Sequence, residues 1–110
     1  MKSFLLNDMK ARSLVPGGEV KFVHSEHMTV SYWHFEADAE IPGHAHPHEQ
    51  IVNLLEGTLE FTVNGEMDVF HAPAAIVIPS NMNHSGKTLT ECTIIDVFYP
   101  MREDFAKLDG

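Results

Sequence analysis

The stretch HAHPHEQIVNLLEG, from His44 to Gly57, carries the clearest signals of structure and chemistry in the chain. Its first half places histidines at every second position. Its second half, from Gln50 to Glu56, has the composition of a β-strand that Gly57 ends. Closely spaced histidines before a strand are typical of a metal site. Histidines in a solvated loop would look the same, so metal binding is one of two interpretations of this stretch.

Alternation with a period of two extends over most of the chain after Gly18, which is typical of an antiparallel sandwich or barrel. Asn64-Gly65 is a strong hairpin signal, Asp38–His48 is predicted to be a loop, and residues 101–108 predict a short helix. The predicted strands are Val20–His24, Met28–Glu36, Gln50–Glu56, Leu59–Val63, Met67–Phe70, Ala74–Ile78 and Thr93–Tyr99. About eight strands favour an all-β jelly roll or barrel over an open sheet, whose edges would be exposed.

Length and charge limit the function. A chain of 110 residues predicts one domain, residues 1–110. Sixteen acidic and seven basic residues give a formal charge of -9, so neither nucleic acid nor a membrane is expected as a partner. An anionic ligand would need a local metal ion or arginine. The chain shows no signal peptide or transmembrane stretch, and Cys92 is its one cysteine, which together predict a cytoplasmic protein.

Residues two apart in a strand point to one face, so His44 and His46 can direct two imidazoles at one point. Gln50 has the same parity, and its side-chain carbonyl is a competent ligand. A third imidazole could come from His84. His48 also has this parity, but a proline precedes it, so we expect it to support the ligands or face solvent. No role is assigned to the other histidines, which are His24, His27, His34 and His71.

Residues 44–57, with PSNMNH from Pro79 to His84, resemble the two signature motifs of the cupin superfamily. Those motifs supply two histidines, a glutamate and a third histidine to one divalent metal ion inside a β-barrel. The resemblance implies a small single-domain cupin jelly-roll β-barrel. The implied metal ligands are His44, His46, Gln50 and His84. Positions that depart from the usual motif residues are Asp38, Pro73, Asn81 and Thr88, of which Asn81 tolerates a left-handed turn.

The segment DVFYPMREDF, from Asp96 to Phe105, resembles the KdgF family of pectin-degradation proteins, which are compact cupins. Proteins of that family convert 4,5-unsaturated monouronates, released from pectin and alginate, into linear keto forms. The resemblance implies a catalytic acid, aromatic residue and arginine at Asp96, Phe98 and Arg102. It also implies an isomerase or tautomerase with one divalent metal ion, which the donor types allow to be zinc, nickel, iron, manganese or cobalt.

Strand parity supports part of this assignment, because Asp96 and Phe98 share the apolar face of one strand. Burying an unpaired charge is costly, so the acid requires a reason. A structural ion pair with Arg102, or a backbone donor, would also explain it. Arg102 could instead form an exposed ion pair with Glu103 or Asp104. Cys92 is expected to be a buried filler rather than a nucleophile.

Rival functions remain open at this point. A cupin dioxygenase or a sugar isomerase would use the same ligands, whereas a non-catalytic sugar-binding cupin has no evident use for Asp96 and Arg102. The other face of the last strand carries Ile95, Val97 and Tyr99, and this apolar face must be covered. Because small cupins commonly dimerise, we predict a homodimer.

Overall fold

A computed structural model describes residues 1–109, which form ten strands, a short 3-10 turn and one helix. The strands are β1 (Arg12–Val15), β2 (Gly18–His24), β3 (Thr29–Phe35), β4 (Glu40–His44), β5 (Glu49–Glu56), β6 (Thr58–Val63), β7 (Glu66–His71), β8 (Ala74–Ile78), β9 (His84–Thr88) and β10 (Cys92–Tyr99). The turn is Leu6–Asp8, and the helix, α1, is Glu103–Asp109. The predicted all-β class and short C-terminal helix are confirmed.

Two antiparallel sheets enclose the interior. The six-stranded sheet has the order β1-β2-β3-β10-β5-β8, and the four-stranded sheet has the order β4-β9-β6-β7. Because β5 and β10 are neighbours, Gln50 lies opposite Phe98 and Val52 lies opposite Asp96. Alternate residues of both sheets face inward, which is the arrangement of a jelly-roll barrel.

The predicted number of about eight strands is too low, and the predicted loop Asp38–His48 is wrong over Glu40–His44, which form β4. A Pro-Gly pair within β4 conceals the strand, but β4 is an edge strand, where the missing N–H of proline is tolerated. Its partner β9 is short and polar. Gly86 in β9 is needed there, because a Cβ would lie 2.8 Å from the ring of Phe61. The third unpredicted strand, β1, is also a short edge strand.

Turn geometry explains how the chain accommodates changes in the cupin motifs. Gly57 has a φ of +97°, and a Cβ there would collide with the carbonyl oxygen of Glu91, so only glycine fits. Asp38 and Asn81, two of the positions that depart from the usual motif residues, have φ values of 62° and 64°. The left-handed turn expected at Asn81 is therefore confirmed, and short polar side chains adopt it more readily than others.

The hydrophobic core lies between the two sheets and includes Cys92. The thiol is fully buried, as expected of a filler, and burial raises its pKa. The buried core residues are Phe35, Ala39, Val52, Leu54, Leu59, Phe61, Ile78, Cys92 and Ile94. Part of the interior is left unfilled by this core, and that space holds the candidate site.

The outer face of the six-stranded sheet is apolar along β5, β8 and β10. Ile51, Val77 and Tyr99 are 38%, 62% and 58% exposed, and Ile51 lies directly opposite Val77. Ile95 and Val97 of the same face are partly buried. Among residues 1–109, no helix has the length and apolar character needed to cross a membrane.

Candidate metal centre and active-site cavity

Three histidines from separate parts of the chain meet in the structure. His44 ends β4, His46 lies in the loop that follows, and His84 begins β9. Their ligand-capable nitrogens all lie within 4.8 Å of one another. His44 and His84 are directly paired across β4 and β9, with ring centroids 4.2 Å apart. The pairing of β4 with β9 thus brings His84 to the first motif.

Each of these rings is held by a backbone carbonyl two residues away in sequence. The distances from Nδ1 to the carbonyl oxygen are 2.8 Å for His44 and Pro42, 3.0 Å for His46 and His48, and 2.9 Å for His84 and Met82. A carbonyl can only accept, so Nδ1 carries a proton in each ring, and in the neutral imidazole Nε2 keeps its lone pair. Such hydrogen bonds orient metal-ligating histidines.

The Nε2 atoms have the surroundings of metal ligands. Nε2 of His84 is buried without a hydrogen-bond partner in the described chain, which is costly for a polar atom. Nε2 of His46 lies 3.1 Å from Oε1 of Gln50, so two lone pairs face each other. Ligands about 2.1 Å from one ion come this close to each other. The donor set therefore fits a divalent metal ion.

The protonation states agree with this fit. Burial, followed by the charge of Arg102, lowers the pKa of His46 to about 4. Burial also lowers the pKa of His84. Both imidazoles are therefore neutral at pH 7, which is the form that binds a metal ion.

Asp96 is buried on the inner face of β10. Burial raises the pKa of its carboxyl group to about 7, although hydrogen bonds from Gln50 and then Ser31, and the charge of Arg102, favour the carboxylate. One oxygen, Oδ1, is buried without a hydrogen-bond partner among residues 1–109. A carboxyl group with a pKa near 7 can both release and accept protons at neutral pH.

Ser31 and Trp33 are supporting residues that sequence reasoning missed. Ser31 lies directly opposite Asp96 in the pairing of β3 with β10, and it is fully buried. Nε1 of Trp33 donates a hydrogen bond to Oγ of Ser31 at 3.1 Å. Because the indole N–H can only donate, the Ser31 hydroxyl proton remains free for Asp96. The parity of Ser31 and Trp33 in a predicted strand was the available signal, but nothing in the sequence pairs that strand with Asp96.

Arg102 lies immediately before α1 and is only 6% exposed. Its guanidinium carbon is 3.8 Å from the ring centre of Phe105 and 4.8 Å from that of Phe98. Its ion pair is with Asp104, at 2.7 Å, rather than with Asp96. The sequence allowed an exposed ion pair between Arg102 and Glu103 or Asp104. The pair with Asp104 exists, but its arginine is buried. Backbone N–H of Arg102 donates to Oγ1 of Thr29 at 2.9 Å.

A cavity of about 290 Å³ joins these side chains. Its polar lining residues are His44, Gln50, His84, Asp96 and Arg102. Its apolar lining residues are Leu14, Val15, Trp33, Phe35, Ile41, Pro42, Val52, Phe61, Ile94, Phe98 and Phe105. The cavity thus has a polar group of side chains and a wall that is otherwise mostly apolar.

The other histidines lie outside this set. His48 supports the centre through its backbone carbonyl, which accepts the Nδ1 proton of His46, while its ring lies 5.4 Å from the His46 ring. His34 forms an ion-pair contact with Glu91 at 3.2 Å, and its side chain is about half exposed. The structure therefore gathers His44, His46, Gln50, His84, Asp96, Phe98 and Arg102, whose roles stay predictions.

Residues 31–98 match the Cupin_2 family, described as the cupin domain. The match covers more than half of the chain, and the chain therefore belongs to the cupin family. The predicted cupin jelly-roll fold is confirmed. No curated protein sequence matches the chain.

Similar solved structures support a narrower likeness. KdgF from a Halomonas species shares 25% sequence identity, with a TM-score of 0.88, over 94% of this chain and 99% of that one. An RmlC-like cupin from Shewanella frigidimarina also shares 25% identity, with a TM-score of 0.88, over 93% of each chain. The resemblance to KdgF inferred from sequence is thus confirmed as a likeness of fold and length.

More distant structures show the fold alone. A variant of oxalate decarboxylase from Bacillus subtilis shares 20% identity with a TM-score of 0.79, over 88% of this chain and 29% of that one. The cupin fold is thus also found in an enzyme of a different kind.

Proposed function

We propose that the protein converts 4,5-unsaturated monouronates to linear keto forms by ring opening and enol-keto tautomerisation. The proposed metal ligands are His44, His46, Gln50 and His84, and the proposed catalytic residues are Asp96, Phe98 and Arg102. The observation that carries the proposal is a carboxyl group with a pKa near 7 in the same cavity as the histidine cluster and an arginine. The likeness to Halomonas KdgF supports the substrate class.

The chemistry requires one proton transfer to carbon. Opening of the substrate hemiacetal releases an enol, which becomes a ketone when a carbon atom is protonated. When bound, the divalent metal ion supplies positive charge that stabilises the developing enolate. The carboxyl group of Asp96 delivers its proton to that carbon, and the enol hydroxyl proton returns to the carboxylate, directly or through solvent. The acid is thereby regenerated.

Arg102 and Phe98 position the substrate in this proposal. The guanidinium group binds the substrate carboxylate, because arginine offers paired N–H donors to the two oxygens. The ring of Phe98 is almost fully buried, at 3% exposure, and forms part of the cavity wall. It therefore excludes water from the face of the sugar that it covers.

The test follows the ultraviolet absorbance of the substrate double bond. With metal-loaded protein and an unsaturated monouronate, we expect the absorbance to fall much faster than without protein. Prior treatment with a chelator should abolish the acceleration, and added zinc should restore it under anaerobic conditions. A rate equal to that of spontaneous opening would refute the proposed function, and a requirement for oxygen would instead favour a cupin dioxygenase.

Gln50→Glu is expected to retain the metal ion but to weaken binding of the uronate about tenfold. Oε1 of Gln50 faces His46, and its side chain hydrogen-bonds Asp96. A glutamate would add a negative charge next to Asp96 and offset part of the charge of the metal ion. Calorimetric titration of the metal-loaded protein with galacturonate measures the change.

The matched control for this variant is Asn64→Asp, which adds the same charge at a distant exposed turn. Asn64 lies in the hairpin turn between β6 and β7, where Asp-Gly is accommodated as well as Asn-Gly. Unchanged uronate affinity in Gln50→Glu, or an equal loss in the control, would contradict a specific role for the neutral amide.

The apolar wall of the cavity favours a second candidate substrate. Sugar hydroxyls placed against such a wall lose hydration without gaining partners. A 2-keto acid with an apolar substituent would suit the wall better, and its enol-keto tautomerisation needs the same acid, arginine and metal ion. Phenylpyruvate is a suitable probe. Faster decay of its enol absorbance than of the unsaturated uronate would favour this second candidate.

A non-catalytic sugar-binding cupin remains the alternative outside catalysis. It would bind galacturonate with measurable affinity but would leave both enol substrates unchanged. The placement of Asp96 in the cavity argues against this alternative, since a buried acid with a raised pKa costs stability and has no evident use in a simple binding site.

We further propose that residues 1–110 form a single cupin domain that works in the cytoplasm as a homodimer. Two features support this proposal, namely the single buried cysteine and the apolar outer face that includes Ile51, Val77 and Tyr99. A second copy covering that face would remove its apolar side chains from water. Sedimentation equilibrium should give twice the chain mass of 12.3 kDa. A mass of one chain would contradict the dimer.

A further inference from the structure

Asp104 contacts Arg102 in the wall of the cavity, and the proposed function gives Asp104 no role. Its Oδ1 and Oδ2 accept hydrogen bonds from Nε and Nη2 of Arg102, at 3.0 Å and 2.7 Å. The two side chains differ greatly in exposure, since that of Arg102 is 8% exposed and that of Asp104 is 59% exposed. Asp104 thus reaches from the surface to a buried guanidinium group.

The pairing occupies one particular edge of the guanidinium group. Arginine can bind a carboxylate through the Nε and Nη2 edge or through the Nη1 and Nη2 edge. Asp104 takes the first edge. Nη1 makes no hydrogen bond in the described part of the chain, and the Arg102 side chain lines the cavity. The second edge is therefore the one available to a substrate carboxylate.

The guanidinium group is fixed from several directions. The rings of Phe98 and Phe105 lie 4.8 Å and 3.8 Å from its carbon atom. The backbone of Arg102 is anchored by the hydroxyl group of Thr29 at 2.9 Å. The two rings are inclined at 75° to each other and limit movement of the group on two sides, while the bidentate hydrogen bond to Asp104 fixes its rotation.

Charge gives a second reason for the pairing. Arg102 lines the same cavity as His44 and His84. A divalent metal ion bound by these histidines would repel the buried guanidinium group, and the adjacent carboxylate of Asp104 would offset that repulsion.

From these contacts we propose that Asp104 is a positioning residue that fixes Arg102 and directs its Nη1 and Nη2 edge at the substrate carboxylate. This inference rests on the proposed function for the identity of the substrate, but its geometry concerns any small carboxylate in the cavity. Asp104 thereby determines preference for acidic over neutral sugars without touching the substrate.

The test compares Asp104→Ala with Glu103→Ala, which removes the neighbouring acid of the same helix. In the unsaturated monouronate assay, Asp104→Ala should raise KM about tenfold and lower kcat less than threefold, because ground-state binding is what is lost. Asp104→Asn, which keeps one acceptor, should fall between the parent and Asp104→Ala. Glu103→Ala should leave both constants unchanged.

The direction of the change in KM separates this proposal from the alternative that Asp104 competes with the substrate. If Asp104 merely competes with the substrate for Arg102, its removal would lower KM, and that result would overturn the proposal. An unchanged KM would also overturn it. Thermal unfolding of each variant shows whether the protein is folded, and the high exposure of Asp104 limits the cost of its replacement.

A binding experiment distinguishes failure here from failure of the proposed function. Calorimetric titration with galacturonate and with galactose measures the preference for a carboxylate without any turnover. The parent should bind galacturonate more tightly, and Asp104→Ala should lose about tenfold of that preference. If the parent turns over no unsaturated uronate, the proposed function fails, while an equal preference in parent and Asp104→Ala would refute only the role of Asp104.

Discussion

Replacement of His84 by alanine is expected to abolish metal binding and to reduce uronate turnover to the spontaneous rate. His84 supplies a buried Nε2 without a partner in residues 1–109, and its Nδ1 is held by the Met82 carbonyl at 2.9 Å. Loss of a hydrogen bond that supports a ligand typically costs roughly 10–100-fold in metal affinity, and loss of the ligand itself should cost more. Metal content after dialysis, measured by mass spectrometry, provides the check.

His84 is only 3% exposed, so its replacement also leaves a cavity. His44→Ala separates the two effects, because His44 is exposed and its loss should cost little stability. Both variants should lose the metal ion, whereas His34→Ala on the outer face of β3 should retain it. If His44→Ala and His84→Ala remained fully loaded, the assignment of the centre would be wrong.

Asp96→Asn is expected to reduce turnover by roughly 10²–10⁴-fold, the range typical of a general acid or base. The amide keeps the volume of the side chain but cannot transfer the proton. The metal content should be unchanged, since Asp96 is not among the proposed ligands. Asp68→Asn, a replacement of an exposed acid on β7, serves as the control and should keep full activity.

The same replacement should stabilise the metal-free fold at high pH. Burial raises the pKa of Asp96 from 3.8 to about 7, so the folded state binds more protons than the unfolded state between these values. The parent therefore loses stability as pH rises from about 4 to about 7, by roughly 2–4 kcal/mol, and Asp96→Asn does not.

Denaturant unfolding of chelator-treated protein at pH 4 and pH 8 measures this difference. The variant should be the more stable protein at pH 8, and its advantage should disappear at pH 4. A variant that is inactive but less stable at pH 8 would indicate a structural role for Asp96. One that is fully active would rule out its role in proton transfer.

The fold was largely predictable because most strands carry a clear signal. The long central strands β5 and β10 contain runs of apolar residues, and they alternate buried and more exposed residues over most of their length, since one face meets the core. The unpredicted strands lack such alternation. In β4 a Pro-Gly pair masks an edge strand, and β9 is built from small and polar residues because Gly86 must approach Phe61 closely.

The candidate site was predictable in its members more than in its arrangement. His44, His46 and Gln50 follow from spacing along one segment, and the motif resemblance adds His84. The contacts of the Gln50 side chain did not follow from sequence. The structure places its side chain between His46 and Asp96. Its oxygen faces His46, and its amide group hydrogen-bonds Asp96. Contacts of this kind depend on which strands are neighbours.

Residues on neighbouring elements were missed for the same physical reason. Ser31 lies opposite Asp96 only because β3 pairs with β10 in one register. Asp104 appears in the sequence as an acid beside Arg102, a pattern that also describes an ordinary surface ion pair. The burial of Arg102 against two aromatic rings distinguishes this pair from a surface ion pair, and that burial is a property of the folded chain.

The residues proposed to bind the metal ion and the substrate carboxylate come from two different parts of the chain. The proposed metal ligands lie between His44 and His84, within or next to the paired strands, whereas Arg102, Asp104 and Phe105 belong to a short segment after the last strand. Under the proposed function, changes in that segment would alter which anion is accepted and would leave the proposed metal ligands in place. Protein engineering could therefore aim at a new substrate by changing residues of this segment alone.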